Sequence, residues 1–435
     1  MQSSALPLGH AANEIDDPVS VNHINQSNEK FLFISNGHGE DLIALRVLEK
    51  LYQLHPNNSF EILPLVGEGK AFASAISEGW LVQKGRSQAL PSGGFSNQSL
   101  RGLFADLLSG LLVNLWNDWR YINWAARNGR LIVSVGDLLP LLLAWSSGAP
   151  FGFIGTPKSD YIWTNAFGRK PSDFYHRLKG SEWDPWEYAL MRSSRCRFVT
   201  VRDEITAQGL RKHGVCASAP GNPMMDGFSK EPCPDCLKQY RRLILLCGSR
   251  MPEALKNFKR IINSLELVRT KDSLAVFVTL GQDPSVELIE EHLNFAGYSR
   301  SLDYCADINA KSAWDKGPLR IFLGPGCFSD WAIWGELGLA NAGTATEQLV
   351  GLRIPCLSLP GKGPQFKYGF ASRQSRLLGG SVLPCENPKL FAERVELLLK
   401  DEQFRKQLGL IGEQRMGLPG GSKSLAFLIS KMLLS

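Results

Sequence analysis

Short apolar runs alternate with amphipathic stretches from Phe31 onward, and that alternation predicts successive parallel βα units. Phe31–Ser35 reads as a strand, NGHGED as a turn, and Leu42–Leu54 as a helix with apolar residues at helical spacing. Phe60–Val66, Leu131–Val135 (ending at Gly136-Asp137), Phe151–Ile154 and Phe198–Val201 are predicted strands, the last followed by a helix over RDEITAQGLRKHG. At residues 219–227 APGNPMMDG breaks the pattern, and a Pro- and Cys-rich stretch runs to Cys236. A second series opens with a strand at Arg242–Cys247 and a turn and long helix over GSRMPEALKNFKRIINSLELV. It continues through predicted strands at Leu274–Leu280, Arg320–Leu323 and Ile354–Leu359. The expected fold class is α/β, with two Rossmann-like domains facing across a cleft. They span residues 31–226 and 242–422, joined by a linker at 227–241 and followed by a helical tail, 423–435. Residues 1–30 are polar, without the cationic-then-apolar pattern of a signal peptide, and read as a disordered lead-in.

The length of 435 residues agrees with two domains, because a single hydrophobic core rarely grows beyond about 250–300 residues. A net charge of +6 suits anionic small partners and is too mild for a nucleic-acid binder, whose interleaved aromatic and basic residues are also missing. Nine scattered cysteines form no disulfide framework, so a reducing compartment is expected. Cys233 and Cys236 make a lone CxxC, short of the four ligands of a closed zinc site. Leu103 to Ala126 holds six leucines and three tryptophans, but Asp106, Asn114, Asp118 and Arg120 interrupt it. It is a poor spanning helix, and reads as a core helix, or else as an interfacial helix or an acyl-chain groove.

Open parallel sheets bind ligands beyond the carboxyl ends of their strands, so chemistry is sought in the turns. The candidates are His38 and Glu40-Asp41 after the first strand, Asp137 after the strand at 131–135, Arg250 after the first strand of the second half, and the turn at 343–347. In that last turn Asn341-Ala342-Gly343-Thr344 precedes a helix expected from about Ala345, with Glu347 in its first turn. Small residues there let a phosphate reach backbone N–H groups, and an ionised glutamate accepts hydrogen bonds from a ribose diol. The plainer account makes Glu347 a partner of the helix dipole, Glu40-Asp41 likewise, and Asp137 a helix N-cap.

These motifs resemble lipid A disaccharide synthase, within the GT-B class of sugar-nucleotide glycosyltransferases, over most of Phe31 to Gly380. NGHGEDLIALRVLEKL is similar to the family's glycine turn and helix, with Gly39-Glu40-Asp41 where Ser-Gly-Asp is usual. VSVGDLLPL places Asp137 at the family's general base, and APGNPMMD resembles its interdomain motif, bringing Asn222 and Asp226 to the hinge or cleft. LLCGSRMPE resembles its Pro-Gly-Ser-Arg loop, with Cys247 in place of proline, and implies that Arg250 contacts the donor diphosphate. NAGTATEQL resembles the donor-binding turn, which implies that Gly343 and Thr344 meet phosphate and Glu347 the ribose. Gln365 resembles a donor-sugar contact of other GT-B enzymes, and His38 resembles the histidine base of a peptidoglycan glycosyltransferase. A histidine near its ordinary pKa and a buried aspartate are both credible bases for a sugar hydroxyl.

The resemblance implies an inverting bacterial enzyme of glycolipid synthesis. It would transfer sugar from a UDP-sugar to a lipid-linked acceptor, peripherally at the cytoplasmic face of the plasma membrane, and would need no cofactor. It also implies that the last helix, Leu425–Leu434, crosses back onto the first domain. No Asp-x-Asp cluster is present, so arginine and helix dipole are expected to meet the diphosphate charge without a metal. A UDP-sugar 2-epimerase of the same architecture, and a non-catalytic lipid- or nucleotide-binding module, are the alternatives.

Overall fold

The computed structural model describes residues 28–85, 111–164, 171–281, 283–302, 308–361 and 367–434. The first half is one parallel sheet of β1 (Lys30–Ser35), β2 (Ser59–Pro64), β3 (Leu81–Gln83), β4 (Leu131–Gly136), β5 (Phe151–Gly155), β6 (Cys196–Val201) and β7 (Ala217–Ser218). Its strand order is β3-β2-β1-β4-β5-β6-β7. The second half contains β8 (Arg241–Leu246), β9 (Leu274–Leu280), β10 (Ser299–Ser301), β11 (Ser312–Lys316), β12 (Leu319–Pro325), β13 (Leu337–Ala340), β14 (Cys356–Ser358) and β15 (Val382–Pro384). They lie in the order β10-β11-β12-β9-β8-β13-β14-β15, parallel except for the antiparallel edge β10-β11-β12.

Helices cover the sheets, so the central strands are buried on both sides and read as unbroken apolar runs, FLFI in β1 and LAVFVTL in β9. The strand order reverses between β1 and β4 in one sheet and between β8 and β13 in the other. Outward-running crossovers on either side of such a reversal leave a crevice at the strands' carboxyl ends. Among the described residues, the turns that hold Glu40-Asp41, Asp137, Arg250 and 343–347 open from one of these two crevices.

The first helix differs from its expected start. It runs from His38 to Leu54, because Gly37, at φ 96°, supplies the sharp entry and Glu40 N–H already bonds Gly37 carbonyl at 3.0 Å. The helix Leu111–Arg127 has one face in the core, through Ile122, Ala125 and Asp118. Its opposite face shows Val113, Trp116 and Trp124 to solvent, so the core reading holds for one face of this helix only. Residues 103–110 of that stretch lie outside the described residues.

The two halves are pinned where Gly221, at φ 124°, crosses Gly421; a Cβ on Gly421 would stand 2.6 Å from the Asn222 carbonyl carbon. The last helix, Gly421–Leu433, then packs on the helix His38–Leu54, with His55 and Ser430 side chains 2.8 Å apart. Among the described cysteines Cys233 is free, and Cys236 is disulfide-bonded, a pairing the scattered cysteine pattern did not lead one to expect.

Candidate active site

On the first domain, the crevice between β1 and β4 gathers Asn36, Glu40, Asp137 and Thr156. Gly136 ends β4 at φ 136°, and a Cβ there would press within 3.0 Å of Asn36 and 3.5 Å of Glu40 Cγ, so only glycine lets these turns close together. Asp137 Oδ1 accepts from Leu139 N–H at 3.2 Å, capping the helix Leu138–Ser146, and from Asn36 Nδ2 at 2.9 Å. Burial raises its pKa, opposed by the Leu139 bond and by Lys158. The capping role is thus real, and it leaves the carboxylate in the crevice.

Glu40 accepts from Thr156 Oγ1 at 3.3 Å, and its pKa rises to about 7, first through desolvation and then through the charges of Asp137 and Asp41. Its partner in sequence has a different task. Asp41 is buried and accepts from Ser35 Oγ at 2.5 Å. His38 is the first residue of its helix. Lys158 is held by Asp184 at 3.4 Å and by Glu187.

On the second domain, the helix Thr344–Gly351 opens at Gly343, where an added Cβ would meet open space. Asn341 sets this turn: its Oδ1 accepts from Leu359 N–H at 3.0 Å and its Nδ2 donates to Leu359 carbonyl at 2.7 Å. Gln374 Nε2 donates to Gly343 carbonyl at 3.0 Å. Arg250 follows β8 in the loop before the helix Glu253–Leu265, half-buried, and burial lowers its pKa. Gln365 lies outside the described residues.

These two crevices meet. A Cβ on Gly39 would stand 3.0 Å from Thr344 Oγ1, and Arg202, just after β6, donates to Glu347 Oε2 at 2.8 Å. Beside them Arg376 pairs with Asp173 at 2.6 Å and Arg373 with Glu182 at 3.0 Å. Asn222 and Asp226 are committed to the hinge. Asn222 Nδ2 donates to Met416 carbonyl at 3.1 Å, and the Asp226 carboxylate accepts from Gly420 N–H and from Ser422 N–H, the latter at 2.7 Å.

Asn36, Thr156, Lys158 and Arg202 were not singled out from the sequence. Thr156 and Arg202 directly follow β5 and β6, so the strand-end rule that pointed to Asp137 also covered them.

No protein-family model and no curated protein matches the chain in sequence. Solved structures do match its fold. The calicheamicin glycosyltransferase CalG4 has a TM-score of 0.56 at 14% identity, over 94% of this chain and 98% of that one. MurG of Acinetobacter baumannii gives 0.53 at 13% identity, over 93% and 100%. A putative UDP-N-acetylglucosamine 2-epimerase from Listeria monocytogenes gives 0.53 at 12% identity, over 94% and 98%. The chain therefore has the GT-B fold, two Rossmann-like domains facing across a cleft.

Proposed function

We propose that the protein is an inverting glycosyltransferase that moves a sugar from a UDP-sugar to a lipid-linked or glycolipid acceptor, in the manner of lipid A disaccharide synthase. A base, Asp137 or His38, takes the proton of an acceptor hydroxyl. The freed oxygen attacks the anomeric carbon, and the bond from that carbon to the diphosphate oxygen breaks with its electron pair leaving on UDP. Glu347 holds the ribose, while Arg250 and the N–H groups around Gly343 and Thr344 face the departing charge, an electrostatic role that needs no reorganisation at the moment of reaction. Gln365 is assigned to the donor sugar, and no cofactor is assigned.

The reading is supported above all by the meeting of the two strand-reversal crevices, the carboxylates on one side and the glycine turn with Glu347 on the other. No helix among the described residues is long and apolar enough to cross a membrane. We assign peripheral attachment at the cytoplasmic face to the exposed tryptophans of Leu111–Arg127. A 2-epimerase is the second reading, favoured by the fold likeness to the Listeria protein.

Incubation with a panel of UDP-sugars, with and without a membrane lipid extract, separates these. Acceptor-dependent UDP release is the expected result, acceptor-independent epimer formation would make the protein an isomerase, and neither product would leave a binding module. Asp137→Asn tests the base. Asparagine caps a helix about as well as aspartate, so this variant is expected to keep its stability and lose transfer if Asp137 is the base. Full activity would move the role to His38.

A further inference from the structure

Glu347 is not left to itself in this molecule. Its Oε2 accepts from Arg202 Nη2 at 2.8 Å, and the two side chains are only 17% and 7% exposed. Arg202 belongs to the first domain, at the end of β6, and Glu347 to the first turn of the helix Thr344–Gly351 in the second. Arg202 Nη2 also lies 3.2 Å from Met416 Sδ, which seats the guanidinium against the helix Glu402–Met416. We infer that Arg202 is a positioning residue for the donor: it reaches across the cleft to fix the carboxylate that takes the ribose. This deepens the donor assignment made above and rests on it.

A glutamate this enclosed has lost much of its hydration, and only a fixed partner holds its carboxylate in one orientation. Arg202 supplies that partner. It stays charged itself: although burial opposes the charge, Glu347 and Asp203 hold its pKa above the ordinary value. The arginine occupies Oε2, and Oε1 carries no hydrogen bond among the described residues. A ribose diol can therefore bond Glu347 without displacing Arg202. Truncation of Arg202 would leave the Glu347 carboxylate free to rotate away from the ribose. Because the two residues come from different domains, the same contact couples donor affinity to domain closure, and that coupling is reciprocal.

The test is calorimetric titration of UDP and of 2′-deoxy-UDP into the full chain and its variants, each checked for native circular dichroism. Wild type is expected to prefer UDP about tenfold, the scale of one hydrogen bond to a charged group. Arg202→Ala should lose most of that preference and bind UDP about tenfold more weakly. Arg202→Lys should recover part of the affinity, since a single nitrogen makes the contact. In a Glu347→Ala background, Arg202→Ala should add nothing, because it acts through Glu347. Unchanged UDP affinity in Arg202→Ala, or losses that add in the double variant, would overturn the inference while leaving the donor assignment standing. Wild type that binds no UDP would overturn both.

Discussion

Single residues in this cleft have properties set by neighbours distant in sequence, and Glu40 shows it most clearly. Read along the chain, Glu40 and Asp41 form an acidic pair in a helix's first turn, and dipole complementation is the economical account. In three dimensions they separate: Asp41 turns inward to Ser35, and Glu40 meets Thr156 and faces Asp137. The groups around Glu40 are Asp137, Asp41 and Thr156, with Lys158 acting on Asp137. Its pKa of about 7, against an ordinary 4.5, means that the native state holds a proton the unfolded chain has released. Between those two values the native state binds more protons, so stability falls as pH rises, and the penalty is complete above about 7. Glu40→Gln is thus expected to be more stable than wild type at pH 8, by about 1–3 kcal/mol, and to converge with it near pH 4.5. Urea unfolding at both pH values checks this, and an equal difference at both would mean that Glu40 is not enclosed as described. Asp137, by contrast, was legible in the sequence, because its strand-end position needs no knowledge of its neighbours.

At the scale of elements, the central strands were legible because burial on both faces leaves few polar interruptions. β9 spans Leu274–Leu280, as the apolar run predicts. Short edge pieces were not. β10 is Ser-Arg-Ser, and β11 gives no apolar alternation long enough to stand out, although Gly317 at φ 57° marks the turn that folds it onto β12. The helix Leu111–Arg127 poses the opposite problem, since a tryptophan-rich run suits both a core and an interface. It has Ile122 and Ala125 inside and Trp116 58% and Trp124 49% exposed. Trp116 stacks on Trp119, and Arg130, 4.5 Å over Trp124, is mostly buried and paired with Glu61 at 2.7 Å, so the exposed cations of this helix are Arg120 and Arg127 instead. Under the peripheral attachment proposed above, such a face would gain from a bilayer interface by burial of apolar area, and exposed cations such as Arg120 would each add about 1 kcal/mol of attraction to anionic headgroups. Trp116→Ser/Trp124→Ser is expected to keep native circular dichroism yet fail to float with anionic liposomes that carry the wild type. Ile122→Ala, on the inner face, should instead cost about 2–5 kcal/mol of stability. Equal flotation of the folded double variant would return this helix to a purely structural role.

Over the whole molecule the two sheets do not behave as separate beads. One apolar cluster runs from Phe31 and Val133 of the first sheet through Met224 and Met225 of the hinge to Ile244 and Phe277 of the second. The last helix adds Leu425, Ala426 and Ile429 to the same cluster. Polar ties follow the same path: Arg46 donates to Pro223 and Met224 carbonyls at 2.8 and 2.9 Å, Gln348 donates to Met224 carbonyl at 2.8 Å, and Asp226 holds Gly420 and Ser422. Two halves joined by a shared core lose that core together, which argues for one cooperative transition despite two Rossmann-like units. The APGNPMMD motif announced a joint in the sequence, but its glycine-on-glycine crossing depends on Gly421, far along the chain, and that partner was not readable. Asp226→Ala is the informative change. It removes two charge-assisted bonds at the start of the last helix, a loss of about 1–3 kcal/mol. Hydrogen exchange in increasing urea, followed on peptides from β1 and from β9, should show both halves destabilised by the same amount. Destabilisation confined to one half would mean that the shared core does not couple the domains, and that the cleft opens about the hinge without cost to either fold.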